Sequence, residues 1–259
     1  MRVSALAKPS TKDEERSTIS VIIPTLNEAA HIEAALASVL SQSDAVEVIV
    51  VDGGSEDDTV ERASRHVRVM EAPRGRARQM NAGAKAASGE VLVFLHADTQ
   101  LPENGLEVIK MALYDPYVVG GCFRTTFDDG GFWMRVWTWR LWMRSPHLAF
   151  GDRAPFVRRS AFEAIGGFPD QPLFEDLELV SGIRREGRFL FLNEAVRTSA
   201  RRFHRHGAFR QQLYNTALWF GWLLGLSSHR LKRFYSDDPS KRGAALAVGA
   251  DQERVAVRS

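Results

Sequence analysis

The strongest constraint on this chain is a rhythm in its first hundred residues. Short β-branched runs at Ile19–Ile23, Val46–Val51, Val67–Met70 and Val91–Leu95 alternate with stretches of helical periodicity at Ala29–Leu40, Asp58–Arg65 and Arg76–Ala87. Continuous apolar runs of this length suit strands buried on both faces, and amphipathic segments between them suit helices laid on those faces. The expected fold is therefore α/β, a mostly parallel twisted sheet of Rossmann-like type flanked by helices. At 259 residues there is chain enough for one large domain with a substantial core.

In such sheets ligands bind beyond the carboxyl ends of the strands. The residues that follow the strands are the polar, turn-forming sets Pro24-Thr25-Leu26-Asn27-Glu28, Asp52-Gly53-Gly54-Ser55 and His96-Ala97-Asp98-Thr99. Asp52 can accept hydrogen bonds from a base or sugar, or it can close an Asp-Gly-Gly-Ser turn. Asp98 can hold a hard divalent cation or cap the next helix. Arg74, Arg76 and Arg78 lie near a helix start and suit a diphosphate or a solvated basic face. Glu175 and Asp176 sit beside apolar residues, as a general base does and as acidic residues at a helix N-terminus do.

Past residue 115 the rhythm breaks. Val118–Phe127 reads as a strand in which Gly120-Gly121 permits close backbone approach, Ala154–Arg158 and Phe189–Leu192 as shorter strands, and Phe174–Glu186 and Phe209–Leu226 as helices. The expected layout is a polar tail over 1–17, a single domain over 18–235 with a nucleotide half at about 18–115 and a less regular half at about 116–235, and a second tail over 236–259. The Trp- and Arg-rich segment 132–142 and the apolar run Leu218–Leu226 suit packing within the domain or peripheral contact with a membrane. The basic run Arg201-Arg202-Phe203-His204-Arg205-His206 suits phosphate, metal or solvent.

Composition sets outer limits. A net charge of +2 gives no polyelectrolyte field, so nucleic acid is not an expected partner. The 34 basic residues are nearly all Arg, with only Lys8, Lys12, Lys85, Lys110, Lys232 and Lys241 as lysines. Guanidinium suits bidentate phosphate or carboxylate contacts. The single cysteine, Cys122, precludes an intramolecular disulfide. With a polar N-terminus and no apolar run of about 20 residues, this points to the cytoplasm or the inner face of its membrane. No G-x-G-x-x-G, Walker A, zinc-finger or G-x-S-x-G pattern occurs.

In order along the chain, Ser20–Glu28, Val48–Asp57, Gly75–Asn81, Phe94–Asp98, Ile165–Phe168 and Leu173–Asp176 resemble glycosyltransferase family 2, whose members have the GT-A fold. The short form carrying Leu95-His96-Ala97-Asp98-Thr99 resembles a bacterial subgroup of small, single-domain members. The resemblance covers about residues 19–200. It implies inverting transfer of a sugar from a nucleotide-sugar donor, a UDP-sugar by first expectation, to a hydroxyl acceptor of lipid, carotenoid-type or small-molecule nature. Carried over residue by residue, Pro24, Thr25, Asn27, Glu28, Asp52, Arg78, His96, Ala97 and Asp98 would line the nucleotide site. Asp98 would bind Mg²⁺ or Mn²⁺ and Asp176 would act as base beside Glu175. Gly166, Gly167 and Phe168 would lie on the acceptor side. His96 stands where the family's Asp-x-Asp motif has its first acid, which leaves the metal to Asp98. A nucleotidyltransferase and a catalytically silent sugar- or lipid-binding module are the alternatives. The former needs a Gly-rich basic loop after the first strand, which Pro24–Glu28 lacks.

Overall fold

The computed structural model describes residues 18–43, 45–128, 151–201, 216–222 and 224–234. Eight strands form one sheet: β1 (Ile19–Thr25), β2 (Glu47–Asp52), β3 (Arg68–Glu71), β4 (Val91–Phe94), β5 (Thr99–Gln100), β6 (Val118–Phe127), β7 (Phe156–Arg158) and β8 (Arg188–Thr198). Their spatial order is β3-β2-β1-β4-β7-β6-β8-β5. The helices are α1 (Ile32–Leu40), α2 (Thr59–Ser64), α3 (Arg76–Ala86), α4 (Gly105–Ala112), α5 (Arg159–Ala164), α6 (Glu175–Glu186) and α7 (Ser228–Phe234). Residues 216–222 are also helical.

Side-chain alternation along the central strands builds two cores, one on each face. Val21 and Ile23 of β1, Val48 and Val50 of β2, and Val91 and Val93 of β4 pack with Ile32, Leu36 and Val39 of α1 and Ile109 of α4. Ile22, Ile49, Val51, Leu92 and Phe94 face the other way, onto Ala77, Met80 and Ala84 of α3, Phe162 of α5 and Ile183 of α6. The expected α/β sheet with helices on both faces is therefore present, and β1 pairs in parallel with both β2 and β4.

The sheet changes sense beyond β4. Strand β7 runs antiparallel to β4, with Val93 opposite Phe156, and β6 runs antiparallel to β7. As a result the segment that enters β7 lies at the same edge as the segment that leaves β4. Close approach at the expected glycines is real. A Cβ on Gly121 would stand 2.5 Å from both the Leu190 carbonyl oxygen and the Phe156 ring, and one on Gly120 would stand 2.6 Å from the Phe156 carbonyl oxygen.

Several elements differ from the sequence reading. Strand β8 runs on from Leu192 to Thr198, past the exposed Asn193 and half-buried Glu194 that interrupt its apolar pattern. A register shift against β6 between Cys122 and Arg124 absorbs the interruption. Helices α4, α5 and α7 and strand β5 are not among the expected elements: α5, α7 and the two-residue β5 are short, whereas α4 carries Leu106 and Ile109 one turn apart on its buried face. The helix expected over Phe209–Leu226 is described only for 216–222, where Gly225 takes a left-handed φ of 83° in the turn that follows. Phe220, Leu224 and Leu226 around it are exposed. Among the described residues no helix is long and apolar enough to cross a membrane. Both tails, segment 132–142 and residues 202–206 lie outside the described residues.

Replacing Gly121 with Ala should destabilise the protein by about 1–3 kcal/mol, because the new methyl meets backbone that cannot rotate away. Urea unfolding of the variant should show a lower midpoint at unchanged m-value.

Candidate active site

The carboxyl edge of the parallel strands is built by loops that grip one another. Asp52, at the end of β2, is 2% exposed. Its Oδ2 accepts the N–H groups of Gly54 and Ser55, each at 2.8 Å, and its Oδ1 accepts the hydroxyls of Thr25 at 3.1 Å and Ser55 at 2.5 Å. Asn27 has a left-handed φ of 54°, and its Oδ1 accepts the Glu56 N–H at 2.8 Å while its own N–H donates to Ser55 Oγ at 2.9 Å. Thr25, Asn27 and Asp52 thus fasten the β1 and β2 loops together. Pro24, in β1, is half-buried beside them, and Ala97 is buried.

A residue given no role in sequence reasoning underpins this grip. Gln79 of α3 is 4% exposed and donates its Nε2 to the carbonyls of Thr25 and Val51, both at 2.8 Å. It sits under Gly53, where an added Cβ would come within 3.0 Å of that same nitrogen. Its signal was a lone polar residue on the buried face of an amphipathic helix, between Ala77 and Met80.

Asp98 leaves β4 into a group of carboxylates. Arg201, just past β8, donates from Nη2 to Glu28 Oε1 and lies 3.8 Å from Asp98 Oδ2. Burial works against the Arg201 charge, but its hydrogen bond to Glu28 and the charges of Glu28 and Asp98 outweigh it and hold the guanidinium above its ordinary pKa. The other Glu28 oxygen, Oε2, is buried with no hydrogen-bond partner among the described residues. His96 is half-buried just before them.

The antiparallel return of β7 brings a further acid here, Asp152, in the 3₁₀ turn Gly151–Arg153. Its Oδ1 is also buried without a hydrogen-bond partner. Burial raises its pKa, Arg153 opposes that, the Asp98 charge raises it further and Arg76 lowers it. Asp152 is therefore within electrostatic reach of Asp98 on one side and of Arg76 on the other. Sequence reasoning passed over it by looking only past the ends of parallel strands. An antiparallel strand presents its beginning at that edge.

Arg76 carries the site across to the second half. Its Nη1 lies 3.3 Å from Glu175 Oε1 and 3.9 Å from Asp176 Oδ2. Those two acids are 4% and 5% exposed, so Arg76 places a positive charge against buried negative charge. They begin α6 after Phe174, whose φ of 65° is left-handed and whose ring lies 5.6 Å from that of Trp222. Arg78 turns to the same side, donating to Asp170 from Nε at 3.0 Å and from Nη2 at 2.9 Å, and this pair raises the Arg78 pKa.

The Gly166–Phe168 loop is held from below. Asn81 of α3 donates to the Phe168 carbonyl at 2.8 Å and accepts its N–H at 2.9 Å. Gly167 has φ 77°, and a Cβ there would stand 2.7 Å from Asn81 Oδ1. Phe168 is 2% exposed and meets Phe94 edge-on at 4.7 Å, so its ring belongs to the core, not to an open surface.

Asp98, Asp152 and the Glu175–Asp176 pair thus flank one edge, with Arg76 and Arg201 between them. Asp52 lies deeper in the β1–β2 loop. Among the described residues no three His, Cys, Asp or Glu side chains enclose a metal by themselves. On the described residues alone, a divalent ion here would draw further ligand oxygens from a bound molecule, which suits an ion that keeps substrate phosphates in its shell. Two buried carboxylate oxygens without partners, on Glu28 and Asp152, fit such a cation.

Residues 20–168 match the profile described as Glycosyl transferase family 2. Glycosyltransferase AglE of Haloferax volcanii is 34% identical over 128 residues, covering 44% of this chain and 41% of that protein. Glucosyl-3-phosphoglycerate synthase of Mycobacterium tuberculosis is 35% identical over 115 residues, covering 40% of this chain and 33% of that protein. The matched stretch thus spans well under half the length of these curated relatives. Among solved structures, mannosyltransferase PcManGT from Pyrobaculum calidifontis, in complex with GDP-Man and Mn²⁺, superposes with a TM-score of 0.65 at 22% identity, covering 92% of this chain and 76% of that one. The S. aureus TarS 1-349 complex with UDP-GlcNAc gives 0.57 at 18% identity, covering 70% and 58%. With the family profile spanning more than half of its residues and the GT-A-like fold in place, the chain belongs to glycosyltransferase family 2.

Proposed function

We propose that this protein transfers a sugar from a nucleotide-sugar donor to a hydroxyl acceptor with inversion at the anomeric carbon. The observation that carries the reading is the presence at one edge of two acidic groups, each with its guanidinium: Asp98 with Arg201, and Asp176 with Glu175 and Arg76. The first is within electrostatic reach of Asp152 through Asp98 and the second through Arg76. A single displacement needs opposite functions on opposite sides of the sugar, one removing a proton and one receiving the leaving group.

In this reading the acceptor oxygen attacks the anomeric carbon as its proton passes to Asp176. The bond from that carbon to the diphosphate breaks, and the nucleoside diphosphate leaves toward Asp98. Glu175 and Arg76 set the position of Asp176. Pro24, Thr25, Asn27, Glu28, Asp52, His96 and Ala97 form the floor and wall of the nucleoside pocket, and several do so by fixing loop shape. Arg78 reaches the nucleotide only by leaving Asp170. Asp98 would hold a Mg²⁺ or Mn²⁺ ion, with Asp152 the neighbouring carboxylate. A bound ion supplies charge neutralisation for the departing diphosphate. The structural neighbour in complex with GDP-Man and Mn²⁺ and the one in complex with UDP-GlcNAc support a nucleotide-sugar donor here.

UDP- or GDP-sugar with Mn²⁺ should raise the melting temperature, and Asp98→Ala should abolish the Mn²⁺-dependent part of that shift. Absence of any nucleotide effect on the wild type would count against the reading. Asp176→Asn should lower kcat by about 10²–10⁴-fold, the usual worth of a general base, with UDP affinity retained. Full turnover by that variant would remove Asp176 as the base.

Asp152 gives a pH-dependent test. Its folded-state pKa lies above the unfolded one, so ionising it costs stability as pH rises through and beyond the ordinary carboxylate range. Asp152→Asn should therefore be more stable than wild type at pH 7, by about 2–4 °C in melting temperature for a gain near 1 kcal/mol. The difference should fade as the pH is lowered below the ordinary carboxylate range. Transferase activity should fall in the same variant.

A further inference from the structure

Beside Glu175 the surface opens into a cleft of about 500 Å³. Its lining carries Arg74, Arg76, Arg78 and Lys232 against only Asp170 and Glu175. Two of the cations are committed, Arg78 to Asp170 and Arg76 to Glu175. Arg74 and Lys232 are exposed, and among the described residues neither side chain makes a hydrogen bond or ion pair. The lining therefore has an excess of positive charge after its own carboxylates are satisfied.

A second observation has a different origin. Gln171 also lines the cleft, and its side-chain Nε2 is buried with no hydrogen-bond partner among the described residues. Buried side-chain donors are nearly always paired, so an unpaired one in a residue of the cleft wall marks a missing acceptor. An acceptor atom that also answers two uncommitted cations is an anionic oxygen, which charge-assisted hydrogen bonds hold more strongly than neutral ones.

We propose that this cleft binds the sugar-accepting substrate through an anionic group, a phosphate or a carboxylate, held by Arg74, Lys232 and Gln171, and so sets its hydroxyl toward Asp176. The inference rests on the transferase reading for the identity of the ligand as acceptor, but not for the existence of an anion site. Arg76 and Glu175 are shared between cleft and base, so a molecule anchored on Arg74 and Lys232 has its other end at the reacting carboxylate. Neutral hydroxyl compounds leave Gln171 and both cations unanswered and bind less well.

Calorimetric titration with inorganic phosphate, and separately with malonate as the carboxylate probe, tests this on the full chain, with and without saturating UDP or GDP. At least one probe should bind, with an affinity that the nucleotide changes by less than twofold. The exposed double reversal Arg74→Glu/Lys232→Glu should weaken it at least tenfold, and Gln171→Leu should weaken it separately. Which probe binds identifies the anionic group. Binding of neither, or equal binding by the double reversal, overturns the proposal. Displacement of the probe by the nucleotide overturns it too, by assigning these cations to the donor diphosphate. If the probe binds with the expected dependence but no nucleotide binds, the anion site stands and the transferase reading falls.

Discussion

Negative charge held out of water is what the architecture of this site has to manage. Glu28, Asp98, Asp152, Glu175 and Asp176 all come to the edge where β4 leaves the sheet and β7 enters it, and like charges in a poorly solvated setting repel one another strongly. Two guanidiniums divide them. Arg201 takes Glu28 and Asp98, and Arg76 takes Glu175 and Asp176. Arg153 acts on Asp152, and among the described residues one oxygen of Glu28 and one of Asp152 still stay buried without a hydrogen-bond partner. A folded protein that keeps such oxygens buried sacrifices stability at a place where charge is to be received, the usual relation between a strained site and its function.

Backbone strain falls in the same place. Among the described residues the non-glycine positions with left-handed φ are Asn27, Ala154 and Phe174. They belong to the β1 loop, to the turn that carries Asp152, and to the residue that introduces Glu175 and Asp176. Such conformations cost on the order of 1 kcal/mol or more and persist where surrounding contacts over-determine them. Those contacts are visible: Asn27 is bound to Ser55 and Glu56, Ala154 is fully buried, and the Phe174 ring meets Trp222.

The parallel half of the sheet could be read from the sequence because its strands are short runs of β-branched residues buried on both faces, a pattern that surface context cannot disguise. The second half was harder for a physical reason. Its strands lie between mixed environments, so β8 interrupts its apolar period at Asn193 and Glu194, and β7 is only three residues long. Asp152 followed from topology, not from local pattern, since only the antiparallel pairing of β7 with β4 brings it beside Asp98. The roles of Asp52 and Asn27 show another limit. A carboxylate or amide at a strand end looks the same in sequence whether it faces a ligand or ties a turn, and here their oxygens are engaged by neighbouring loops. Arg78 was legible as a cation near a helix start, but its choice of Asp170, ninety-two residues away, was not.

Helix α3 resolves how the two halves can act as one site while differing in constraint. Ala77, Met80 and Ala84 bind it to the sheet. Gln79 fixes the ends of β1 and β2, where the donor loops begin, and Asn81 fixes the Phe168 loop. From its first turn Arg76 and Arg78 reach forward to Glu175 and Asp170. One rigid element therefore fixes the ends of β1 and β2 through buried hydrogen bonds and reaches the second half through one exposed ion pair, Arg78–Asp170, and one against a buried acid, Arg76–Glu175. The buried bonds are costly to change, because each loss strands a carbonyl or amide away from water. The exposed Arg78–Asp170 pair is worth little and can be exchanged without disturbing the sheet, whereas loss of Arg76 would leave Glu175 and Asp176 buried without that cation. On the proposed transferase reading, the edge at β1 and β2 is constrained by folding itself, as are the buried acids held by Arg76, whereas the Arg78–Asp170 surface is free to vary.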